Sequence, residues 1–280
     1  MNLGVIKSFA KINLALNVTG KSSKLHDIES LVAFLDFHDL ILIKKSESKK
    51  HQVIFNGKFS KKINSNNTVS QLLKILDKKK LLNQKFYIKI TKKIPQQSGL
   101  GGGSMNAASI LNFFIKKKII KTDVEQAFEI AKQVGSDVIL GLDNTNSILT
   151  SKNKIKRFRN CKNFFVLVIK PNFGCSTKDI YSRIKKFDKP KFTNPKKGMF
   201  NYKNLKQMSN SLEKIAMKKY PKLENIKAYL NNLKNPIFVR MTGSGSALVS
   251  YYYSKKLCNE AQKKFRKDYK KYWCISSKTI

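Results

Sequence analysis

The chain has 280 residues, 41% of them hydrophobic, and no apolar run near the roughly 20 residues of a spanning helix, which argues against disorder and against a membrane protein and leaves one large or two ordinary globular domains. Its formal net charge is +40, yet only five of its 57 basic residues are Arg (Arg157, Arg159, Arg183, Arg240, Arg266). Dedicated nucleic-acid sites use arginine's planar fork, so lysines scattered along a chain argue for solvated faces that attract small polyanions such as nucleotides.

Residues 10 to 18 alternate: Ala10, Ile12, Leu14, Leu16 and Val18 are apolar, and Lys11, Asn13 and Asn17 lie between them. Period two predicts a half-buried strand with those three polar residues on one face. Further strands are predicted over 39–43 and 52–55, the latter ending in Asn56-Gly57, a hairpin signal. Val69, Leu72, Leu73 and Leu76 predict a helix over 68–80, and Phe86, Ile88 and Ile90 a strand running toward Pro95. A helix over 104–118 follows, with Ala108, Leu111 and Ile115 on one stripe. Thr122-Asp123-Val124-Glu125 reads as a capping box opening another helix, which Gly135 closes.

Phe164 to Ile169 reads as a buried strand, followed by helices over 205–217 and 223–233. Strands over 237–241 and 247–253 flank Thr242-Gly243-Ser244-Gly245; a basic helix over 255–270 and a short strand near Trp273 finish the chain. Polar Ser151-Lys152-Asn153-Lys154 is the expected seam, giving domains 1–152 and 153–280. Strands and helices do not alternate regularly, so the expected class is α+β. The four cysteines are widely spaced without a CxxC pair and the three histidines are scattered, so no zinc signature is present. The first residues, MNLGVIKSFAKINLALNV, lack the charged start, apolar block and cleavage site of a signal peptide, and a cytoplasmic location is expected.

Four of the chain's 13 glycines fall between positions 99 and 103, in Pro95-Gln96-Gln97-Ser98-Gly99-Leu100-Gly101-Gly102-Gly103-Ser104-Met105. Strand, glycine loop, helix is the order of an anion site: backbone N–H groups and the positive helix end surround phosphate oxygens, and glycine lets the main chain come close. A Walker A loop needs Lys after its last glycine, and Ser104-Met105 stand there instead. Gly99-x-Gly101-x-x-Ser104, with Asp123 about 20 residues on, approximates the dinucleotide fingerprint and stands as the second reading. Three more residues each carry two readings. Asp137, in Gly135-Ser136-Asp137-Val138, is a functional carboxylate or a turn former. Lys11 is a site cation or a solvated lysine. His26 is a site imidazole or a loop histidine.

Together these stretches resemble a known family. Ala10-Lys11-Ile12-Asn13-Leu14, Pro95 through Ala108, and Met241-Thr242-Gly243-Ser244-Gly245 resemble the three ordered motifs of the GHMP kinases. Within that superfamily, four further stretches resemble the branch acting on a cytidine-diphosphate-linked methylerythritol of the non-mevalonate isoprenoid route. They are His26-Asp27-Ile28-Glu29-Ser30-Leu31 with Phe34-Leu35-Asp36, Gly135-Ser136-Asp137-Val138, Ser176-Thr177 with Tyr181, and Asn210-Ser211-Leu212-Glu213.

The resemblance implies a small-molecule kinase that moves the γ-phosphoryl group of ATP, with Mg²⁺, to the substrate's 2-hydroxyl. It implies an N-terminal domain like a ribosomal-protein domain, a smaller C-terminal α/β sandwich and an active site in the cleft between them. Asp137 would be the catalytic carboxylate and Lys11 the charge-stabilising cation beside it. Pro95, Gln96, Gln97, Ser98, Gly99, Leu100, Gly101, Gly102, Gly103, Ser104 and Met105 would wrap ATP, with Ser104 near the metal. His26 would hold the cytosine, Tyr181 would stack on it, and Asn13, Thr177, Thr242 and Gly243 would complete the substrate side. Expected partners are these small molecules, with no membrane and no specific nucleic acid, in a monomer or homodimer.

Departures from the pattern are Gln96-Gln97-Ser98 for smaller residues, Leu25 where tyrosine is frequent, Val138-Ile139-Leu140 without the usual proline, and Ser211 for an aspartate. None removes a proposed catalytic group. The rivals are another GHMP kinase, of mevalonate or homoserine type, and a basic nucleic-acid-binding protein that has lost catalysis.

Overall fold

The structure, a computed structural model, describes residues 2–22 and 26–280; the Leu25 departure lies outside the described residues. The backbone falls into two compact units that interleave along the chain. The first comprises Met1–Ala10, Phe37–Gln96 and Gly101–Asn144, the second Lys11–Asp36, Gln97–Leu100 and Thr145–Ile280. The interleaving follows from two paired strands of 20 residues, β1 (Asn2–Lys21) and β2 (His26–Lys45), each of which begins in one unit and ends in the other.

In the first unit, β3 (Gln52–Asn56), α1 (Thr68–Lys78) and β4 (Phe86–Thr91) form a crossover, with β3 and β4 parallel. The C-terminal end of β2 pairs antiparallel with β4, from Leu40 opposite Thr91 to Lys45 opposite Phe86. The hairpin expected at Asn56-Gly57 is therefore absent, because parallel partners cannot be joined by a tight turn. Gly57 serves a close approach instead. Its φ is +89°, and a Cβ there would stand 2.8 Å from the Lys92 carbonyl oxygen.

In α1 the predicted stripe Val69, Leu72, Leu73 and Leu76 is buried. Asn67 caps it by accepting from the N–H groups of Val69 and Ser70. Helices α2 (Gly102–Lys116) and α3 (Val124–Val134) follow. The cap of α3 is Asp123, one residue beyond the expected Thr122, and it accepts from the Gln126 N–H at 2.7 Å. Ile41, Ile43, Ile88 and Ile90 of the strands pack with Leu72, Leu76, Leu111 and Ile130 of the helices into one core.

In the second unit, β5 (Asn146–Leu149) pairs with Ser30–Val32 of β2 and makes a hairpin with β6 (Ile155–Phe158). Ser151-Lys152-Asn153-Lys154, expected as a domain seam, is the turn of that hairpin, closed by the Thr150 N–H donating to the Lys154 carbonyl at 2.9 Å. A second sheet, wholly antiparallel, has the order β10-β7-β9-β8, from β7 (Phe165–Lys170), β8 (Phe238–Met241), β9 (Leu248–Tyr252) and β10 (Trp273–Lys278). Its helices are α4 (Thr177–Ser182), α5 (Tyr202–Gln207), α6 (Ser211–Lys219), α7 (Pro221–Asn231) and α8 (Lys255–Asp268). The single helix expected over 205–217 is thus two, because Asn210 begins α6 as its N-cap. Leu16 and Val18 of β1 join Leu167, Ile169, Leu212, Leu230 and Phe265 in this unit's core. Mixed strands and helices give the α+β class expected. Among the described residues no helix is long and apolar enough to cross a membrane.

Candidate active site

The alternation in β1 places Lys11 and Asn13 on one face, but that face is not solvated: each is 3% exposed. The Lys11 Nζ donates to Asn13 Oδ1 at 2.7 Å. Asn13 in turn donates from its backbone N–H to Thr242 Oγ1 at 2.9 Å and from Nδ2 to Ser30 Oγ at 2.8 Å. A buried ammonium therefore has its geometry set by an amide that is itself fixed twice.

The first half of the glycine loop is pinned on both sides by main-chain bonds within the second unit. Lys11 N–H donates to the Leu100 carbonyl at 3.0 Å, and the N–H groups of Ser246 and Ala247 donate to the carbonyls of Gln97 and Ser98 at 3.2 Å each. The Thr242 hydroxyl donates to the Gly99 carbonyl at 3.2 Å. Gly99 has φ +74°, and a Cβ there would stand 2.0 Å from the Thr242 carbonyl oxygen. Gly99→Ala is accordingly expected to lose about 3 kcal/mol, from left-handed strain plus displaced backbone. Calorimetry would read a fall of about 6 °C in Tm. An unshifted Tm would contradict this packing.

The second half of the loop opens α2 in the first unit. Gly101, with φ +70°, is the N-cap; no side chain caps the helix and no acidic residue lies in its first turn. The Met105 N–H, bonded to the Gly101 carbonyl at 2.8 Å, begins the helical ladder. The N–H groups before it and the positive helix end form an anion-binding terminus. A Cβ on Gly102 would stand 3.1 Å from Lys92 Nζ. Lys92 is buried and ion-paired to Asp39, whose other oxygen accepts from the N–H groups of Lys93 and Ile94 at 2.7 and 2.8 Å. A fixed cation thus sits beside the helix's amino end. Pro95, Ser98 and Leu100 are buried and shape the loop from within. Gln96, one of the departures, spans to the carbonyls of Phe59 and Lys61 at 2.7 Å each.

Asp137 is half-buried, in the turn between α3 and a short 3₁₀ helix at Ile139–Leu142. Its segment is braced on α2, the helix that begins at the glycine loop. A Cβ on Gly141 would stand 2.7 Å from the Ala108 Cβ, and Asn112 Nδ2 donates to the carbonyls of Gly141 and Leu142 at 3.2 and 3.1 Å. Asp137 and the glycine turn therefore share one rigid element, α2. Lys11 belongs to the other compact unit.

His26 is the first residue of β2, not a loop residue. Its ring lies 5.0 Å from that of Tyr181 and 6.4 Å from that of Phe187. Desolvation first, and then the charge of Lys21, hold its pKa below the ordinary 6.5, so the imidazole is neutral near pH 7. Thr177, at the start of α4, hydrogen-bonds Ser244 of the second glycine turn, Oγ1 to Oγ at 2.9 Å.

Sequence reasoning missed Phe187, which is 49% exposed, and the reason it is held there. The Asp188 N–H donates to the Val18 carbonyl at 2.8 Å, and the buried Glu29 carboxylate accepts from the N–H groups of Lys191 and Phe192 at 2.6 and 2.9 Å. A glutamate two residues ahead of the apolar run Leu31–Leu35 in β2 was the available signal. Lys92 was missed because nothing local sets it apart from the other lysines.

Among the described residues no group of three or more His, Cys, Asp or Glu could hold a metal. Mg²⁺ keeps most of its waters and binds mainly through phosphates, so the single half-buried Ser104 hydroxyl in the first turn of α2 suits an ion that arrives with ATP.

A family profile described as GHMP kinases N terminal domain matches residues 67–150, which hold α1, the glycine loop and Asp137. A solved structure of 4-(cytidine 5'-diphospho)-2C-methyl-D-erythritol kinase superposes with a TM-score of 0.80 over 99% of this chain and 100% of that one at 20% identity, so the two share one architecture, the GHMP kinase fold to which the profile also points. A 4-diphosphocytidyl-2-C-methyl-D-erythritol kinase of Pelagibacter ubique is 57% identical over 100% of both chains. One of Clostridium beijerinckii is 30% identical over 94% of this chain and 97% of its own. The chain belongs to the 4-diphosphocytidyl-2-C-methyl-D-erythritol kinase family.

Proposed function

We propose that the protein transfers the γ-phosphoryl group of ATP to the 2-hydroxyl of 4-diphosphocytidyl-2-C-methyl-D-erythritol, a step of the non-mevalonate isoprenoid route. The observation that carries the reading is the uncapped, glycine-built amino end of α2, with Asp137 braced on the same helix. Phosphoryl transfer asks for alignment and charge neutralisation more than for covalent chemistry. The first-turn N–H groups of α2 hold the phosphates, and Lys92 beneath Gly102 reinforces their field. Ser104 would help hold Mg²⁺, which would supply charge neutralisation when bound. Asp137 orients the acceptor hydroxyl and takes its proton; Lys11, aimed by Asn13, neutralises charge on the transferring group.

Asn13, Thr177, Thr242 and Gly243 form the acceptor side. His26 and Tyr181, joined by Phe187, receive the cytosine: a neutral imidazole offers one donor and one acceptor to a pyrimidine edge, and the aromatic faces stack on it. We place this activity in the cytoplasm.

The test is a coupled ADP-release assay with Mg-ATP and three acceptors: the cytidine substrate, mevalonate and homoserine. Release with the cytidine substrate alone supports the reading. Release with mevalonate or homoserine but not with it overturns the substrate assignment. A pH series adds a finer check. A second proton on His26 would remove its acceptor, and its depressed pKa delays that until below 6.5. The KM for the cytidine substrate is therefore expected to stay flat from pH 8 to about 6.5 and to rise below it, with the KM for ATP unchanged. A rise that begins well above 6.5 would contradict the neutral imidazole.

A further inference from the structure

We infer that Asn210 is a positioning residue for Lys11, acting through the second glycine turn; this rests on the reading of Lys11 as the cation that neutralises the transferring phosphoryl group. Asn210, 4% exposed, sits at the break between α5 and α6. Its Oδ1 caps α6 by accepting from the Leu212 N–H at 3.0 Å. Its Nδ2 donates both protons to the turn, one to the Met241 carbonyl and one to the Gly243 carbonyl, each at 2.8 Å. These carbonyls flank Thr242. One amide thereby fixes both sides of the residue whose hydroxyl receives the Asn13 N–H and reaches the Gly99 carbonyl. Asn13 in turn aims the Lys11 ammonium.

The segment carrying Asn210 also holds β1 directly. The Leu16 N–H donates to the Ser209 carbonyl at 3.0 Å, and Leu16 bridges to Asn210 as a short parallel pairing. Arg240, buried beside it, donates to the carbonyls of Leu14, Leu205 and Met208. The strand that bears Lys11 and the turn that orients Asn13 are thus set against each other by the stretch 208–211. Capping alone does not call for asparagine, since serine or aspartate caps as well. Two donors aimed at two carbonyls do call for an amide, because a hydroxyl supplies one proton and a carboxylate none.

The test is a double-mutant cycle with Lys11→Met and Asn210→Ser, which keeps the cap and removes the amide. Asn210→Ser is expected to lower kcat about 30-fold, in the range of a small misplacement, and to leave the KM for ATP within about twofold. In the Lys11→Met background the same change is expected to cost nothing further, since effects through a shared group are not additive. ATP affinity measured by calorimetry confirms that each variant is folded, and the isosteric Asn210→Asp, expected to be at least as slow, serves if Asn210→Ser does not fold. Unchanged kcat in both Asn210 variants, or a full 30-fold loss on top of Lys11→Met, overturns the inference. Wild-type turnover in Lys11→Met overturns the underlying reading of Lys11, an outcome visible before Asn210 is altered.

Discussion

Asp137→Asn is expected to lower kcat about a thousandfold while leaving ATP affinity within about twofold of wild type, the size of effect that follows loss of a positioned base or charge. Asparagine keeps the shape of the side chain but carries no negative charge and takes no proton from the acceptor. The surrounding segment has independent supports in Gly141 against Ala108 and in Asn112 on two carbonyls, so the substitution leaves the backbone in place. The glycine turn at the start of α2 is likewise untouched. Single-turnover kinetics and calorimetric ATP titration check the two halves separately. Normal turnover would remove Asp137 from the chemistry. Lost ATP affinity would show that it serves the nucleotide instead.

Asp39→Ala is expected to destabilise the protein by about 3–5 kcal/mol, because it leaves the Lys92 ammonium buried without its counter-charge. Asp39 is 0% exposed, and its loss also strips the N–H groups of Lys93 and Ile94 of their acceptor. Those residues lead directly into the glycine loop, so the KM for ATP should rise as stability falls. Adding Lys92→Met should restore much of the stability, since a buried pair removed whole costs far less than a pair broken. Denaturant unfolding of the two single variants and the double variant measures this. A loss under 1 kcal/mol in Asp39→Ala would mean that water reaches Lys92.

Much of the fold was legible locally. The stripe of α1 and the alternation of β4 are buried as their periodicity demands, and the glycine cluster opens α2 as its composition suggests. What escaped was set by distant partners. Asn56-Gly57 has a hairpin's chemistry, but β3 pairs with β4 across α1. Apolar residues continue past Met208, but Asn210 is occupied by carbonyls far along the chain. In β1, period two marks one buried face; burial of both faces from Ala10 to Val18 depends on elements that the strand itself does not encode.

The site divides in the same way. Its glycines and Asp137 stand out because backbone conformation and turn chemistry leave local marks. Lys92 and Phe187 do not stand out: one is a lysine among lysines, and the other lies in a lysine- and proline-rich stretch. Their roles follow from Asp39 and Glu29, acids in β2 whose partners only the folded chain supplies.

Phosphorus NMR of the reaction distinguishes phosphoryl transfer to a substrate hydroxyl from every other fate of ATP in this site. With Mg-ATP and the cytidine substrate, ADP is expected together with a new phosphomonoester resonance, the diphosphate bridge of the substrate remaining intact. ADP with inorganic phosphate and no new ester would contradict it, because the glycine-built turn would then hold ATP for water and not for an acceptor.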